Sequence, residues 1–213
     1  MNVAEFLSSC SFSRLIPELL KNCKPFKCGN KDLDDFFVKD SFLYGKKLLG
    51  KTYVFRLKEI PDKIVAAFTL SNDSVRIKQL VPEDKAKIEY ITENGEKNLR
   101  RYPGVLVGRL GINSEFAKQG FGSAVMTFIK TWFRSDENKT GCRFIIVDAV
   151  NNPDVIHYYR KNNFKFLYGS DENEARALGI NVKMLWKNPL RTRLMYYDLI
   201  DLDDKMGDGS QIN

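Results

Sequence analysis

The run from Val105 to Ile129, VLVGRLGINSEFAKQGFGSAVMTFI, constrains this chain more than any other. It reads as an apolar strand, a short loop holding Gly120 and Gly122, and an amphipathic helix. The first turn of a helix leaves backbone N–H groups without intrahelical partners, and the positive end of the helix dipole lies beside them. Glycine at the turn lets a ligand approach those donors, and Lys118 adds a positive charge, so the segment suits a pyrophosphate. The spacing is not the three-glycine dinucleotide fingerprint, which also needs an acidic residue about twenty positions on. No Gly-Lys-Ser/Thr follows, which excludes the phosphate loop of nucleoside triphosphatases.

The window Ala117-Lys118-Gln119-Gly120-Phe121-Gly122 resembles the coenzyme A loop of the GNAT superfamily of N-acetyltransferases, (Gln/Arg)-x-x-Gly-x-(Gly/Ala). Both glycines match, and Ala117 stands where the pattern has Gln or Arg. Downstream, Asn152, Tyr158, Tyr159 and Phe164 match in register the pattern Asn-x-x-Ala-x-x-(Phe/Tyr)-Tyr-x-x-x-Gly-Phe, while Val155 and Asn163 depart from it. Asn163 for Gly is a mild change, because Asn tolerates the left-handed conformation that ends a helix. The resemblance covers roughly residues 12 to 200. It implies an α+β, GNAT-like three-layer fold, a mixed twisted β-sheet with a splayed central strand pair flanked by helices.

The same resemblance implies acetyl-CoA as co-substrate and no metal. Backbone groups of Leu110, Gly111 and Ile112 would hold the pantetheine arm, one N–H donating to the thioester carbonyl oxygen. The loop residues Ala117, Lys118, Gln119, Gly120, Phe121, Gly122 and Ser123 would hold the pyrophosphate, with Asn152 a further contact. Tyr159 would act as the catalytic acid that protonates the departing thiolate, since a phenol of pKa ~10 stays protonated at neutral pH. Tyr158 would then point into the core. The general base stays open between Glu115, Asp148 and a water chain. His157, the only histidine, lies on a different helix face from Tyr159 and reads as a surface residue.

Two further segments, Phe26-Lys27-Cys28-Gly29 and Leu106-Val107-Gly108-Arg109-Leu110-Gly111-Ile112, resemble the toxin-type branch of the superfamily. That branch acetylates the amino group of aminoacyl-tRNA and stops translation. An α-amine of pKa ~8 needs less help to lose its proton than a lysine at ~10.4, which fits that acceptor. The branch implies a small ribbon-helix-helix antitoxin as partner, and the superfamily a homodimer. A small-molecule amine or a protein N-terminus remains an alternative acceptor. So does a catalytically silent acyl-CoA-binding module.

Composition sets the bounds. At 213 residues and 43% hydrophobic, the chain is sized for a single acyl-CoA N-acyltransferase domain over residues 1–200. No apolar run of about eighteen residues occurs, and the first ten residues lack the basic head and apolar stretch of a secretory signal, so a cytoplasmic protein is expected. Four cysteines without C-x-x-C spacing argue against zinc and for free thiols. The net charge is +7; residues 198–213 hold −4, so the preceding 197 carry +11. A basic body suits phosphate-bearing partners such as coenzyme A and RNA. Residues 201–213 read as an acidic, flexible C-terminal tail.

Along the chain, Phe12–Ile16 reads as a strand ended by Pro17. Asn30 caps a helix that places Leu33, Phe36, Phe37, Tyr44 and Leu48 on one face. Residues 52–57 and 64–70 read as a hairpin turned at Pro61-Asp62. Residues 71–103 form a polar excursion with a short helix near 83–91, released by Pro103-Gly104 into the next strand. Phe121, Ala124, Val125, Phe128, Ile129, Trp132 and Phe133 form the packing stripe of the helix after the loop. Residues 143–149 read as a buried strand, 169–190 as a second excursion and 192–200 as a last strand.

Overall fold

Short apolar runs, continuous in the buried strands, supply the sheet. The computed structural model describes residues 2–88, 99–136, 138 and 140–201. Its strands are β1 (Cys10–Arg14), β2 (Lys51–Leu57), β3 (Ile64–Arg76), β4 (Arg101–Ile112), β5 (Phe144–Val150), β6 (Lys165–Phe166) and β7 (Thr192–Asp198). They form a seven-stranded sheet in the order β1-β2-β3-β4-β5-β7-β6. This is the mixed α+β, helix-flanked sheet of the GNAT-like fold. The chain divides into two compact units, residues 1–72 with 106–138, and residues 73–105 with 139–213.

In the first unit β1 pairs antiparallel with β2, and β2 with β3, Phe12 opposite Phe55 and Tyr53 opposite Phe68. The helix α6 (Phe121–Arg134) lays its aromatic stripe on this face. Phe128 lies tilted 4.7 Å from Phe12 and edge-on 5.0 Å from Phe55, and Trp132 meets Tyr53 edge-on at 5.0 Å. Burying such rings supplies the largest apolar areas a core can have. Trp132 is therefore packing, as its spacing indicated.

The helical stretch after Asn30 departs from expectation. Asn30 does cap it, accepting from the N–H groups of Asp32 and Leu33 at 3.0 and 3.2 Å. After α3 (Lys31–Asp35), however, Phe36–Asp40 is π-helical before α4 (Ser41–Lys46) resumes. A π turn inserts a residue and rotates everything beyond it by about 100° relative to an unbroken α-helix. Phe36 and Phe37 stay buried, but Leu48 falls past the helix end with φ 57° and is 90% exposed.

Other features differ as well. Pro17 opens a short helix, α2 (Pro17–Lys21), where a missing N–H costs nothing. An N-terminal helix, α1 (Val3–Ser9), is closed by a reciprocal Asn2–Glu5 capping box. Pro103 and Gly104 lie inside β4 rather than ahead of it. The Pro103 carbonyl accepts from Arg143 at 2.9 Å, and a Cβ on Gly104 would sit 2.9 Å from the Phe144 carbonyl oxygen.

In the second unit, α5 (Pro82–Ile88) falls where a short helix was expected; positions 89–91 of that expectation, and residues 202–213 of the acidic tail, lie outside the described residues. Strand β7 pairs antiparallel with both β5 and β6. Phe144, Ile145, Ile146 and Val147 are all buried. The helix α8 (Asp171–Ala177) is tied to β7 through Arg193, whose guanidinium pairs with Glu174 at 2.6 Å and with Asp171. No helix among the described residues is long and apolar enough to cross a membrane.

Candidate active site

The glycine loop begins where β4 ends. Asn113 is buried there and holds the exit: its N–H donates to Val65 O at 2.8 Å and its amide nitrogen to Ile64 O at 2.9 Å. Its side-chain oxygen accepts from Glu115, opening a single turn of 3₁₀ helix over Ser114–Phe116. The Gln119 amide reaches back to the Glu115 carbonyl at 2.8 Å. Lys118 and Gly120 both take left-handed backbone, φ 60° and 89°. Those two reversals turn the chain into α6, and Gly120 stands as its N-cap with no side-chain capping bond.

Gly120, the N-cap of this fourteen-residue helix, therefore brings no side chain of its own to the helix start. Phe121 is buried against Phe116 at 5.0 Å and Phe6 at 5.9 Å, fixing where the turn points its donors. Ala117, Lys118 and Gln119 are exposed, while Gly122 and Ser123 are half-buried. A backbone cradle with a side-chain-free helix start fits the pyrophosphate of an acyl-CoA.

Leu110, Gly111 and Ile112 complete β4 beside this loop in sequence. The segment Phe26–Gly29 packs on them. A Cβ on Gly111 would stand 3.2 Å from Cys28 Sγ and 3.3 Å from the Phe26 ring. Ser114 donates its N–H to Lys27 O at 2.9 Å. Cys28 in turn gives its N–H to Asp34, and burial pushes its thiol up to about 11, away from nucleophilic use.

Asn152 and Tyr159 belong to the second unit. Asn152 caps α7 (Pro153–Lys161), its side-chain oxygen accepting from Asp154 at 2.9 Å. Tyr159 is buried, with its ring 5.1 Å from Tyr158 and 5.4 Å from Phe164. Tyr158 is only half-buried, so the more enclosed tyrosine of the pair is Tyr159. Burial pushes the Tyr159 phenol up to about 12, and the Asp148 carboxylate adds to the rise. His157 is exposed. Asn163 takes φ 61°, the left-handed conformation its place at the helix end demands. Among the described residues no three His, Cys, Asp or Glu side chains group as metal ligands.

No protein-family profile matches the chain, and no curated protein sequence does. Solved structures do. AtaT complexed with acetyl-methionyl-tRNAfMet aligns with a TM-score of 0.65 at 16% identity, over 92% of this chain and 99% of that one. AtaTR bound with AcCoA aligns with a TM-score of 0.64 at 15% identity, covering 94% and 99%. A Tyr-to-Phe mutant of KacT aligns with a TM-score of 0.61 at 17% identity, covering 92% and 98%. The chain has their fold.

At such identity the likeness carries the backbone plan and not the chemistry. One feature had no signal in any local motif. In the second unit burial raises the Asp148 carboxyl, and the charge of Asp73, far off in sequence, adds to the rise.

Proposed function

We propose that the protein is an acetyl-CoA-dependent N-acetyltransferase whose acceptor is a primary amine, the amino group of an aminoacyl-tRNA. The observation that carries this reading is the left-handed Gly120 leading into a long helix with no side-chain cap. Acetyl-CoA bound there supplies an activated acetyl thioester. In this reading the backbone of Ala117 to Ser123 holds the pyrophosphate, and Lys118 contributes charge. An N–H from Leu110 to Ile112 donates to the carbonyl oxygen as negative charge develops on it. Tyr159 gives its proton to the thiolate as the C–S bond breaks, and recovers one from the new amide nitrogen. Asn152 acts chiefly through the cap that sets the start of α7.

Support for the acceptor comes from the basic body and from the structural neighbours, of which AtaT has been solved with acetyl-methionyl-tRNAfMet. AtaT has also been solved with the C-terminus of the antitoxin AtaR, and KacTA with DNA. By analogy we infer an antitoxin protein as partner, a homodimer, and a cytoplasmic location for a domain spanning residues 1–200. Label transfer from radioactive acetyl-CoA tests the reading, with aminoacylated tRNA, free amines and peptides as parallel acceptors. Label on the aminoacyl group, released by mild deacylation of the tRNA, is the expected result. Label confined to free amines or peptides overturns the tRNA acceptor, and no transfer to any of them overturns the enzyme.

A further inference from the structure

An acceptor amine of pKa ~8 arrives at neutral pH mostly as an ammonium, and it must shed a proton before its lone pair can attack a thioester. Tyr159 cannot take that proton, because burial keeps its phenol protonated. Glu115 is engaged by Lys63 in an ion pair. His157 is exposed, and two residues along a helix from Tyr159 it lies on another face. The base has to come from elsewhere.

The second unit holds a cavity of about 300 Å³ lined by three carboxylates, Asp73, Asp148 and Glu174, beside Ile146 and Leu194. Glu174 is committed to Arg193 and to the N–H of Leu194. Asp73 accepts from the N–H of Ser74 at 2.7 Å. Asp148 makes no hydrogen bond or ion pair among the described residues. The strand explains its place: Phe144 to Val147 and Ala149 are buried, and Asp148 is the exposed position among them, opposite Leu194 of β7. Alternation puts it on the face of Ile146, which lines the same space. Burial raises its carboxyl and the charge of Asp73 adds to the rise, which strengthens it as a proton acceptor. Arg76 and Tyr168 also line the cavity, and the charge of Arg76 acts on the Tyr168 phenol, opposing the rise that burial causes there. The helix α7 packs on β5, and the Asp148 charge is felt at Tyr159, so the two groups lie within electrostatic reach of each other.

We propose that Asp148 is the general base of the transfer, a role that rests on the acetyltransferase reading. Its carboxylate takes a proton from the acceptor ammonium, and the freed lone pair forms the C–N bond. The C–S bond breaks with its electron pair going to sulfur, which Tyr159 protonates. The Tyr159 phenolate then recovers a proton from the new amide nitrogen, and Asp148 gives its own to solvent. Acid and base thus stand on one helix and the strand it covers, Tyr159 serving the leaving group and Asp148 the nucleophile.

Single-turnover acetyl transfer to aminoacylated tRNA, followed against pH for the full-length native chain, Asp148→Asn and Asp148→Glu, tests the assignment. Asp148 is exposed and unpaired, so neither change should disturb folding, and thermal unfolding checks that. Asp148→Asn should be slower by about 10²-fold near pH 6. That deficit should shrink toward about pH 8, where the α-amine loses its proton unaided. Asp148→Glu should recover part of the rate and the native pH dependence. A native rate in Asp148→Asn, a deficit of equal size at every pH, or a raised KM for the acceptor with native kcat overturns the proposal and leaves the enzyme reading standing. If the native chain labels free amines or peptides instead, the same series on that acceptor decides by the same criteria. A native chain that acetylates none of them removes the enzyme reading and the base with it.

Discussion

The Cβ that Gly111 lacks would stand 3.2 Å from the sulfur of Cys28. Two segments more than eighty residues apart, Phe26–Gly29 and the end of β4, therefore depend on one another's small size. Gly111→Ala should cost about 1–3 kcal/mol, the usual penalty for overpacking a tight contact. Cys28→Ala removes the sulfur and should recover part of that loss, so the two changes should be non-additive in a urea-unfolding double-mutant cycle. Additive effects would mean that the segments do not press on each other.

At the glycine loop, two neighbouring substitutions should act with opposite sign. Gly120 holds φ 89°, so Gly120→Ala forces a side chain into left-handed backbone and should cost about 1–2 kcal/mol. Lys118 already bears that strain at φ 60°, and Lys118→Gly should leave stability equal or higher. Both should raise the KM for acetyl-CoA, Gly120→Ala by distorting the cradle and Lys118→Gly by removing a charge. Thermal unfolding and initial-rate kinetics on the two variants check both halves.

What could be read from the sequence was local. Asn30 caps its helix because an N-cap needs only its own next two or three residues, and Gly120 turns because its φ is set within a few bonds. The aromatic stripe of α6 follows from helical period alone. The π segment at Phe36–Asp40 was not legible, because nothing in the period marks where a residue will be inserted to keep Phe36 and Phe37 both buried. Nor was the length of β3, since Ser71 to Arg76 are polar apart from Val75 and give no run of strand-forming residues. The Asp73–Asp148 pair depends on that extension, so no motif could announce it.

Tyr159 as the acid makes a statement about pH. Its phenol is held near 12, so kcat should show no alkaline limb from this group below about pH 10. Tyr159→Phe should lower kcat by about 10²–10⁴ with little change in the KM for acetyl-CoA. A variant with native kcat would remove Tyr159 from the proposed chemistry.

Stability should follow the same tyrosines. Burial raises Tyr159 and Tyr196 each to about 12, so between about pH 10 and 12 the unfolded chain gives up protons that the native chain keeps. The native state then binds more protons than the unfolded one, and unfolding free energy falls as pH rises. This contribution is complete below about pH 10 and is lost by about pH 12. The melting temperature should fall across that window, less steeply in Tyr159→Phe.

The buried pair of Arg193 and Glu174 gives the sharpest test of how the second unit is held. Glu174 is 2% exposed and uses both oxygens, one for the Arg193 guanidinium and one for the N–H of Leu194 at 2.7 Å. Arg193 also stacks over Phe166 at 4.5 Å, so its loss removes packing as well as charge. Arg193→Met should leave an uncompensated buried carboxylate and destabilise the protein by about 3–5 kcal/mol. Adding Glu174→Gln neutralises that charge and keeps an acceptor for Leu194, so the double variant should be more stable than Arg193→Met alone. Denaturant unfolding of the three variants measures the ordering. If the double variant unfolds as readily as the single one, α8 is held by the bulk and stacking of Arg193 rather than by its charge.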